Sequence, residues 1–159
     1  MGSRSLKRLE AVACTLAAAL VVTGCSATGP LFSGLPRVQS NEAAIIVYRP
    51  SCFTLSGAYP NVYLDGVKQA ALRNGGYVEL RVPPGEHVVE AKGSILHWDG
   101  RVPVLTRRMR VEAARIGFVR LTIASGSSHG GGLLGVTVTL DAVSQEAASR
   151  ELSSLRLCQ

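Results

Sequence analysis

Residues 72–89 read LRNGGYVELRVPPGEHVV, and they place a strand between two turns. Within this stretch YVELRV (77–82) alternates apolar and polar residues, which is typical of a strand with one buried face. The glycines after Asn74 and the run Pro83-Pro84-Gly85 indicate tight turns on either side, because glycine accepts positive φ and proline fixes its own φ. We expect an inward row of Val78, Leu80 and Val82 and an outward row of Tyr77, Glu79 and Arg81.

The segments around this stretch also have strand character. AAIIVYR (43–49) is apolar at nearly every position, which predicts a central strand covered on both faces. NVYLDGVKQAALR (61–73) predicts a hairpin whose turn is Asp65-Gly66. EHVVEAKG (86–93) predicts the strand that follows the proline turn.

Three further strands are predicted in the second half. LTRRMRV (105–111) and ARIGFVRLTIA (114–124) are expected to pair through a turn at Glu112-Ala113. LLGVTVTLDAV (133–143) predicts the last strand. At this spacing, short alternating segments favour sheets over helices.

The chain ends in a predicted helix. SQEAASRELSSLRL (144–157) has helical periodicity, Ser144 as its N-cap and Glu146 four residues before Arg150. Leu152 and Leu155 lie along one face. About eight short strands and one terminal helix predict an all-β fold for residues 42–159, an antiparallel β-sandwich or open barrel with the helix on one sheet face.

The amino terminus has the form of a secretion signal. Positively charged residues precede AVACTLAAALVV (11–22), which is shorter than the roughly 20 apolar residues that a membrane span needs. Val22-Thr23-Gly24-Cys25 resembles the bacterial lipobox. The motif predicts a signal peptide over residues 1–24, cleavage before Cys25, a diacylglycerol on its sulfur and an acyl chain on its amine. The alternative is an ordinary signal peptide with a coincidental cysteine.

Residues 25–41 are predicted to be a lipidated tether. They are rich in Ser, Gly and Pro, and a flexible chain of this length spans roughly 20 Å. Ser26 stands where enteric bacteria place an Asp to retain a lipoprotein at the inner membrane. We therefore expect an envelope protein on the outer membrane, facing the periplasm.

Charge and cysteine usage agree with export. The chain has a formal charge of +6, which falls to +4 without residues 1–24, and this is too small for a nucleic-acid partner to be expected. Cys14 leaves with the signal and Cys25 takes the lipid. Cys52 and Cys158 remain for a predicted disulfide, which would stabilise by roughly 4–5 kcal/mol in the chain-entropy model. The alternative is two unpaired thiols.

Several of these motifs together resemble one protein family. IVYRP (46–50), VYLDG (62–66) and the 72–89 stretch are similar to the bacterial lipoprotein family known as domain of unknown function 2846, over residues 43–143. The hairpin region 62–91 also resembles the PEGA-type β-module of bacterial surface proteins. Both resemblances imply a β fold and an envelope location, and neither implies catalytic residues.

Candidate chemistry is sparse. His87, His97 and His129 stand apart with no close ligand pair, so we expect no metal and no cofactor. The loop SGSSHGGG (125–132) sets Ser beside His, but it lacks the strand-to-helix setting of a hydrolase and the Gly-Lys of a phosphate loop. Arg49 is expected either to pair with a carboxylate or to cap backbone carbonyls.

The arginines of the 105–111 strand are the candidates for contact with an anionic surface. Alternation puts Arg108 and Arg110 outward with Thr106, and we expect Arg120 of the next strand to join them. The alternative is the ordinary solvated face of an antiparallel sheet. Arg107 falls on the apolar side, where it needs a partner or an exposed strand end. The opposite, inward row is Leu105, Met109 and Val111.

Two classes of function are compatible with these features. The first is a non-enzymatic envelope lipoprotein that is held on the membrane by its lipid and binds an envelope protein or an anionic glycan. The second is a periplasmic enzyme or small-ligand carrier with a site in its loops. A deep pocket with clustered polar groups would favour the second class, and we prefer the first.

Overall fold

A computed structural model describes residues 26–93, 104–126 and 135–158 of the protein. Within these residues the chain forms nine strands and one helix: β1 (Ala43–Arg49), β2 (Asn61–Leu64), β3 (Val67–Ala71), β4 (Gly76–Val82), β5 (Gly85–Lys92), β6 (Leu105–Val111), β7 (Ile116–Gly126), β8 (Gly135–Ala142), α1 (Gln145–Leu152) and β9 (Arg156–Leu157).

The strands form a β-sandwich with a C-terminal helix, which confirms the predicted fold class. One sheet has the order β8-β7-β1-β4-β9 and the other has the order β3-β2-β5-β6. In the five-stranded sheet β1 is parallel to β7 and β4 is parallel to β9, so this sheet is mixed rather than antiparallel throughout. After β1 the chain forms β2 and β3 of the four-stranded sheet, returns to the five-stranded sheet as β4, and adds β5 and β6 to the four-stranded sheet. It then crosses back to the five-stranded sheet as β7, which runs beside β1 in the same direction.

Strand β1 is buried along its whole length, as its sequence predicts. Ile45 and Val47 pack into the core between the two sheets, whereas Ile46 and Tyr48 face the layer formed by α1. A strand between two layers needs apolar residues at successive positions. Tyr77 of β4 also faces the helix layer, with its ring edge-on to that of Phe32 at 5.3 Å, so it is buried rather than solvent-facing.

The predicted pairing of β6 with β7 is wrong, because the turn between them crosses from one sheet to the other. Strand β6 pairs with β5, and β7 pairs with β1 and β8. Ala114 adopts a φ of 59°, and its N–H donates to the carbonyl of Glu42 at 2.7 Å, which fixes the turn beside the start of β1. Alternation specifies the faces of a strand but not its neighbour.

Helix α1 begins at the predicted cap. The Oγ of Ser144 accepts a hydrogen bond from the N–H of Ala147 at 3.3 Å. The helix ends at Leu152 rather than near residue 157, because Arg156 and Leu157 leave it to pair with β4 as β9. As predicted, its apolar face covers one side of the five-stranded sheet, through Ala148, Leu152 and the following Leu155.

The first described segment, residues 26–32, lies against the domain and does not form the predicted flexible tether. The N–H of Ala27 donates to the carbonyl of Asn74 at 3.1 Å, and the N–H of Gly29 donates to that of Leu157 at 3.2 Å. Ala27 is buried. Composition suggested flexibility, but the unpaired backbone of β9 offers this segment a partner that composition does not reveal.

The sandwich has two ends, which we name after residues that lie there. The Ser26 end contains Ser26 and Asn74, which form a bridge, and the end of β1, where Arg49 is opposite Gly76. The Pro83 end lies beyond the other end of β4. The seven residues of β4 rise about 3.4 Å each, so the two ends are about 20 Å apart.

At the Pro83 end an ion pair joins the hairpin turn to the proline turn. The Oδ2 of Asp65 lies 2.7 Å from Nδ1 of His87, and Nε2 of His87 lies 2.9 Å from the carbonyl oxygen of Pro83. Both ring nitrogens face acceptors, which favours the imidazolium form. Burial lowers the pKa of His87, but the hydrogen bonds to Asp65 and Pro83 outweigh burial and raise its pKa above the ordinary value. The hydrogen bond from His87 in turn lowers the pKa of Asp65.

We expect the free energy of unfolding to decrease as pH rises above about 6.5, the value for an unperturbed histidine. A group whose pKa is raised in the folded state stabilises fully below its unfolded pKa and loses that contribution as pH rises through the folded pKa. Thermal denaturation followed at intervals from pH of about 5 to about 9 measures the decrease. In the His87→Gln variant this decrease should be absent, and an unchanged decrease would contradict the assignment to His87.

Candidate functional site

Several positions singled out from the sequence lie outside the described residues. They are Cys25, His97, His129 and the 127–132 part of the glycine-rich loop. In the described ranges, no group of three or more His, Cys, Asp and Glu side chains is arranged to hold a metal ion. The one helix among the described residues is too short to cross a membrane.

Three polar side chains in the described part of the chain are buried, namely Arg49, Asn74 and His87. His87 belongs to the ion pair at the Pro83 end. Arg49 and Asn74 lie together at the Ser26 end, where the β1–β2 loop (residues 50–60) folds over the end of β1. The Ser26 end is therefore the part of the domain in which polar groups organise a loop.

Arg49 holds the β1–β2 loop through backbone carbonyls. Its Nη2 donates to the carbonyl of Leu55 at 2.8 Å and lies 3.7 Å from Sγ of Cys52, and its Nη1 donates to the carbonyl of Ala58. The Arg49 side chain is fully buried. Of the two predicted roles, capping of carbonyls is the one observed. The planar guanidinium suits this role because its donors diverge in a fixed fork.

Asn74 joins the same loop to the first described segment. Its Oδ1 accepts a hydrogen bond from the N–H of Cys52 at 2.9 Å, and its carbonyl accepts one from the N–H of Ala27 at 3.1 Å. The next residue in the loop, Phe53, is 98% exposed. Sequence reasoning did not single out Phe53, because the loop contains a second aromatic residue, Tyr59, and the sequence does not show which of the two rings is exposed.

The cysteines of the domain are free thiols, and the predicted Cys52–Cys158 disulfide is not formed in the structure. Both lie at the Ser26 end. The Sγ of Cys52 donates to the carbonyl of Thr54 at 3.2 Å, and the Sγ of Cys158 accepts from the N–H of Arg73 at 3.4 Å. Burial raises the pKa of the Cys158 thiol, so it stays protonated and packs as a small apolar side chain.

Arg120 does not join the predicted basic surface. It lies on β7 in the five-stranded sheet, and its Nη1 is 2.7 Å from Oε1 of Glu151 in α1. The hydroxyl of Tyr48 donates to the other oxygen of Glu151 at 2.6 Å. These contacts attach the helix to the sheet. The sequence prediction was wrong because it assumed that β6 and β7 are neighbours.

Arg108 and Arg110 are exposed on β6, as alternation predicts, and the predicted inward row faces the core. The register with β5 sets Glu86 opposite Arg110 and Val88 opposite Arg108, so the surface carries charges of both signs. A surface cleft of about 420 Å³ lies over these two strands, and it is lined by Glu86, His87, Val88, Arg108, Met109 and Arg110. Arg107 is partly buried, and its Nε has no hydrogen-bond partner among the described residues.

A family model described as "Protein of unknown function (DUF2846)" matches residues 39–133, which is more than half of the chain. The chain belongs to this family. Within the DUF2846 range, Arg49 caps the β1–β2 loop, Asn74 binds that loop, and the Asp65–His87 pair joins two turns. These residues of the matched region therefore have structural roles. Searches of the curated proteins and of the solved structures found no match.

We expect Arg49→Met to lower the free energy of unfolding by about 2–4 kcal/mol, because the carbonyls of Leu55 and Ala58 lose a buried, charged donor. Urea denaturation measures the change. Arg81→Met is the matched control: Arg81 pairs with Glu42 at 3.2 Å but is 59% exposed, so its loss should cost at most about 1 kcal/mol. Similar losses in the two variants would contradict the structural role of Arg49.

Proposed function

We propose that this protein is a lipid-anchored module of the bacterial cell envelope, attached through Cys25 after removal of residues 1–24. The observation that carries the proposal is the Val22-Thr23-Gly24-Cys25 box behind a charged start and a short apolar run. Its support from the fold is the position of Ser26, which is exposed at one end of the sandwich. A lipid attached to the preceding residue would therefore extend from the surface of the domain and would not pass through its core.

We propose that the protein is located on the outer membrane, with its domain in the periplasm. Ser26 is compatible with release from the inner membrane, where an Asp at this position would retain the protein in enteric bacteria. Two or more acyl chains hold a protein stably on a bilayer, whereas one holds it only marginally. The proposed diacylglycerol and amide-linked chain would therefore be sufficient without a membrane span.

The role that we propose for the domain is binding or structural rather than catalytic. The buried polar side chains of the described residues are engaged within the fold, Arg49 and Asn74 by backbone groups and His87 by Asp65 and Pro83. The exposed candidates are Arg108 and Arg110 on β6, at an edge of the four-stranded sheet. An edge strand with outward arginines suits an envelope protein or an anionic glycan.

Lipid attachment is tested by the intact mass of protein extracted from membranes. We expect a mass equal to residues 25–159 plus a diacylglycerol and one acyl chain. Cys25→Ser should retain residues 1–24 and carry no lipid, because sulfur is the nucleophile that takes the diacylglycerol. Cys14→Ser is the matched control and should give the wild-type mature mass. A wild-type protein without lipid would overturn the proposed function.

The anionic partner is tested by charge reversal on β6. Arg108→Glu with Arg110→Glu should lower association with isolated cell-wall glycan about ten-fold at low salt, and added salt should remove the difference. The control reverses Lys68 and Arg150, which are exposed elsewhere and give the same net charge. Equal effects of the two double variants would show that net charge, rather than this surface, drives association.

A further inference from the structure

The residue proposed to carry the lipid is one peptide bond from Ser26, and the domain holds the next residue. Ala27 is 4% exposed, and its N–H donates to the carbonyl of Asn74 at 3.1 Å. Consecutive Cα atoms are about 3.8 Å apart, so a lipid on Cys25 would start within two residues of a fixed point on the domain. Without a long tether, the Ser26 end has to lie at the lipid surface.

Exposed apolar side chains lie at this same end. Phe53 is 98% exposed, and the residue before it, Cys52, donates its N–H to the Oδ1 of Asn74. One residue, Asn74, therefore fixes both the start of the described chain and the loop that carries Phe53. Val104, which is 54% exposed, precedes β6 at the end of the sheet where β5 finishes.

The β1–β2 loop holds Phe53 outward through its own hydrogen bonds. The carbonyl of Phe53 accepts from the N–H of Ser56 at 3.2 Å, and the carbonyl of Leu55 accepts from the N–H of Ala58 at 2.9 Å. Leu55 adopts a φ of 52°, and its carbonyl also accepts from Arg49 at 2.8 Å. A bonded turn above a buried arginine keeps the ring away from the core, although burial of a Phe side chain is worth about 2 kcal/mol.

We propose that Phe53 inserts into the membrane that holds the Cys25 lipid, at the boundary between headgroups and acyl chains. This inference rests on the proposed lipid attachment. The lipid supplies the affinity, and Phe53 adds apolar burial at a second point, which orients the domain. In this orientation the Ser26 end contacts the bilayer, and strands β1 and β4 extend away from it.

This orientation separates the two exposed features of the domain. Strand β6 runs from Leu105, at the Ser26 end, to Val111, which is opposite Gly85 at the Pro83 end. Arg108 is the central residue of β6, opposite Val88, and Arg110 lies in the half nearer the Pro83 end. In this orientation both arginines are held away from the lipid phosphates and are accessible to a partner in the periplasm.

The test is tryptophan fluorescence of the lipidated full-length protein in vesicles of phosphatidylethanolamine and phosphatidylglycerol. Phe53→Trp is compared with Val67→Trp, both in a Trp98→Phe background that removes the chain's single native tryptophan. Val67 is the matched control because it is 63% exposed beside the Asp65-Gly66 turn, and the strand register sets it level with Val89 in the middle of β5, away from the Ser26 end. Vesicles that contain lipids brominated near the top of the acyl chains quench a tryptophan that lies at that depth.

We expect a blue-shifted emission for the residue at 53 and quenching about two-fold or more stronger than for the residue at 67. Intact mass establishes lipidation in each sample, and circular dichroism establishes folding. A lipidated protein in which neither tryptophan is quenched, or in which both are quenched equally, overturns the insertion of Phe53 and leaves the lipid anchor standing. A protein without lipid overturns the proposed function and this inference with it.

Discussion

The buried guanidinium of Arg49 is the interaction on which the Ser26 end depends. A charge removed from water is costly unless it is hydrogen-bonded, so the carbonyls of Leu55 and Ala58 have to converge on it. That convergence folds residues 50–60 back over the end of β1 and brings the N–H of Cys52 to Asn74. The position of the first described segment then follows, because Asn74 also binds it.

The sequence predicts those secondary-structure elements that are specified by the residues within or next to them. A continuous apolar run specifies β1, Asp65-Gly66 specifies a hairpin turn in which both residues have positive φ, and Ser144 caps the helix. The partner of each strand is not a local property. Whether a short turn closes a hairpin or crosses the core depends on which pairing buries more apolar surface. The sequence does not show this, and the predicted pairing of β6 with β7 is wrong for that reason.

The candidate site is less predictable than the fold for a similar reason. Arg49 and Arg120 are both arginines in strands, yet one caps carbonyls and the other pairs with Glu151 of α1. A sequence shows the donor but not the acceptor that the fold brings to it. The segment from residue 26 to 32 shows the same limit, because small and polar residues suit both a flexible tether and an extended chain paired with β9.

The stretch 72–89 explains how the two ends of the domain stay distinct. Its first turn carries Asn74 at the Ser26 end, and its second carries Pro83 and His87 at the other end, with the length of β4 between them. The end tied by an ion pair is polar and titrates with pH, whereas the other end presents Phe53 from a loop bound through neutral carbonyls. A domain that presents an exposed aromatic ring at one end and a hydrogen-bonded ion pair at the other is suited to a boundary between lipid and water, since the ring is stabilised by leaving water and the charges by staying in it.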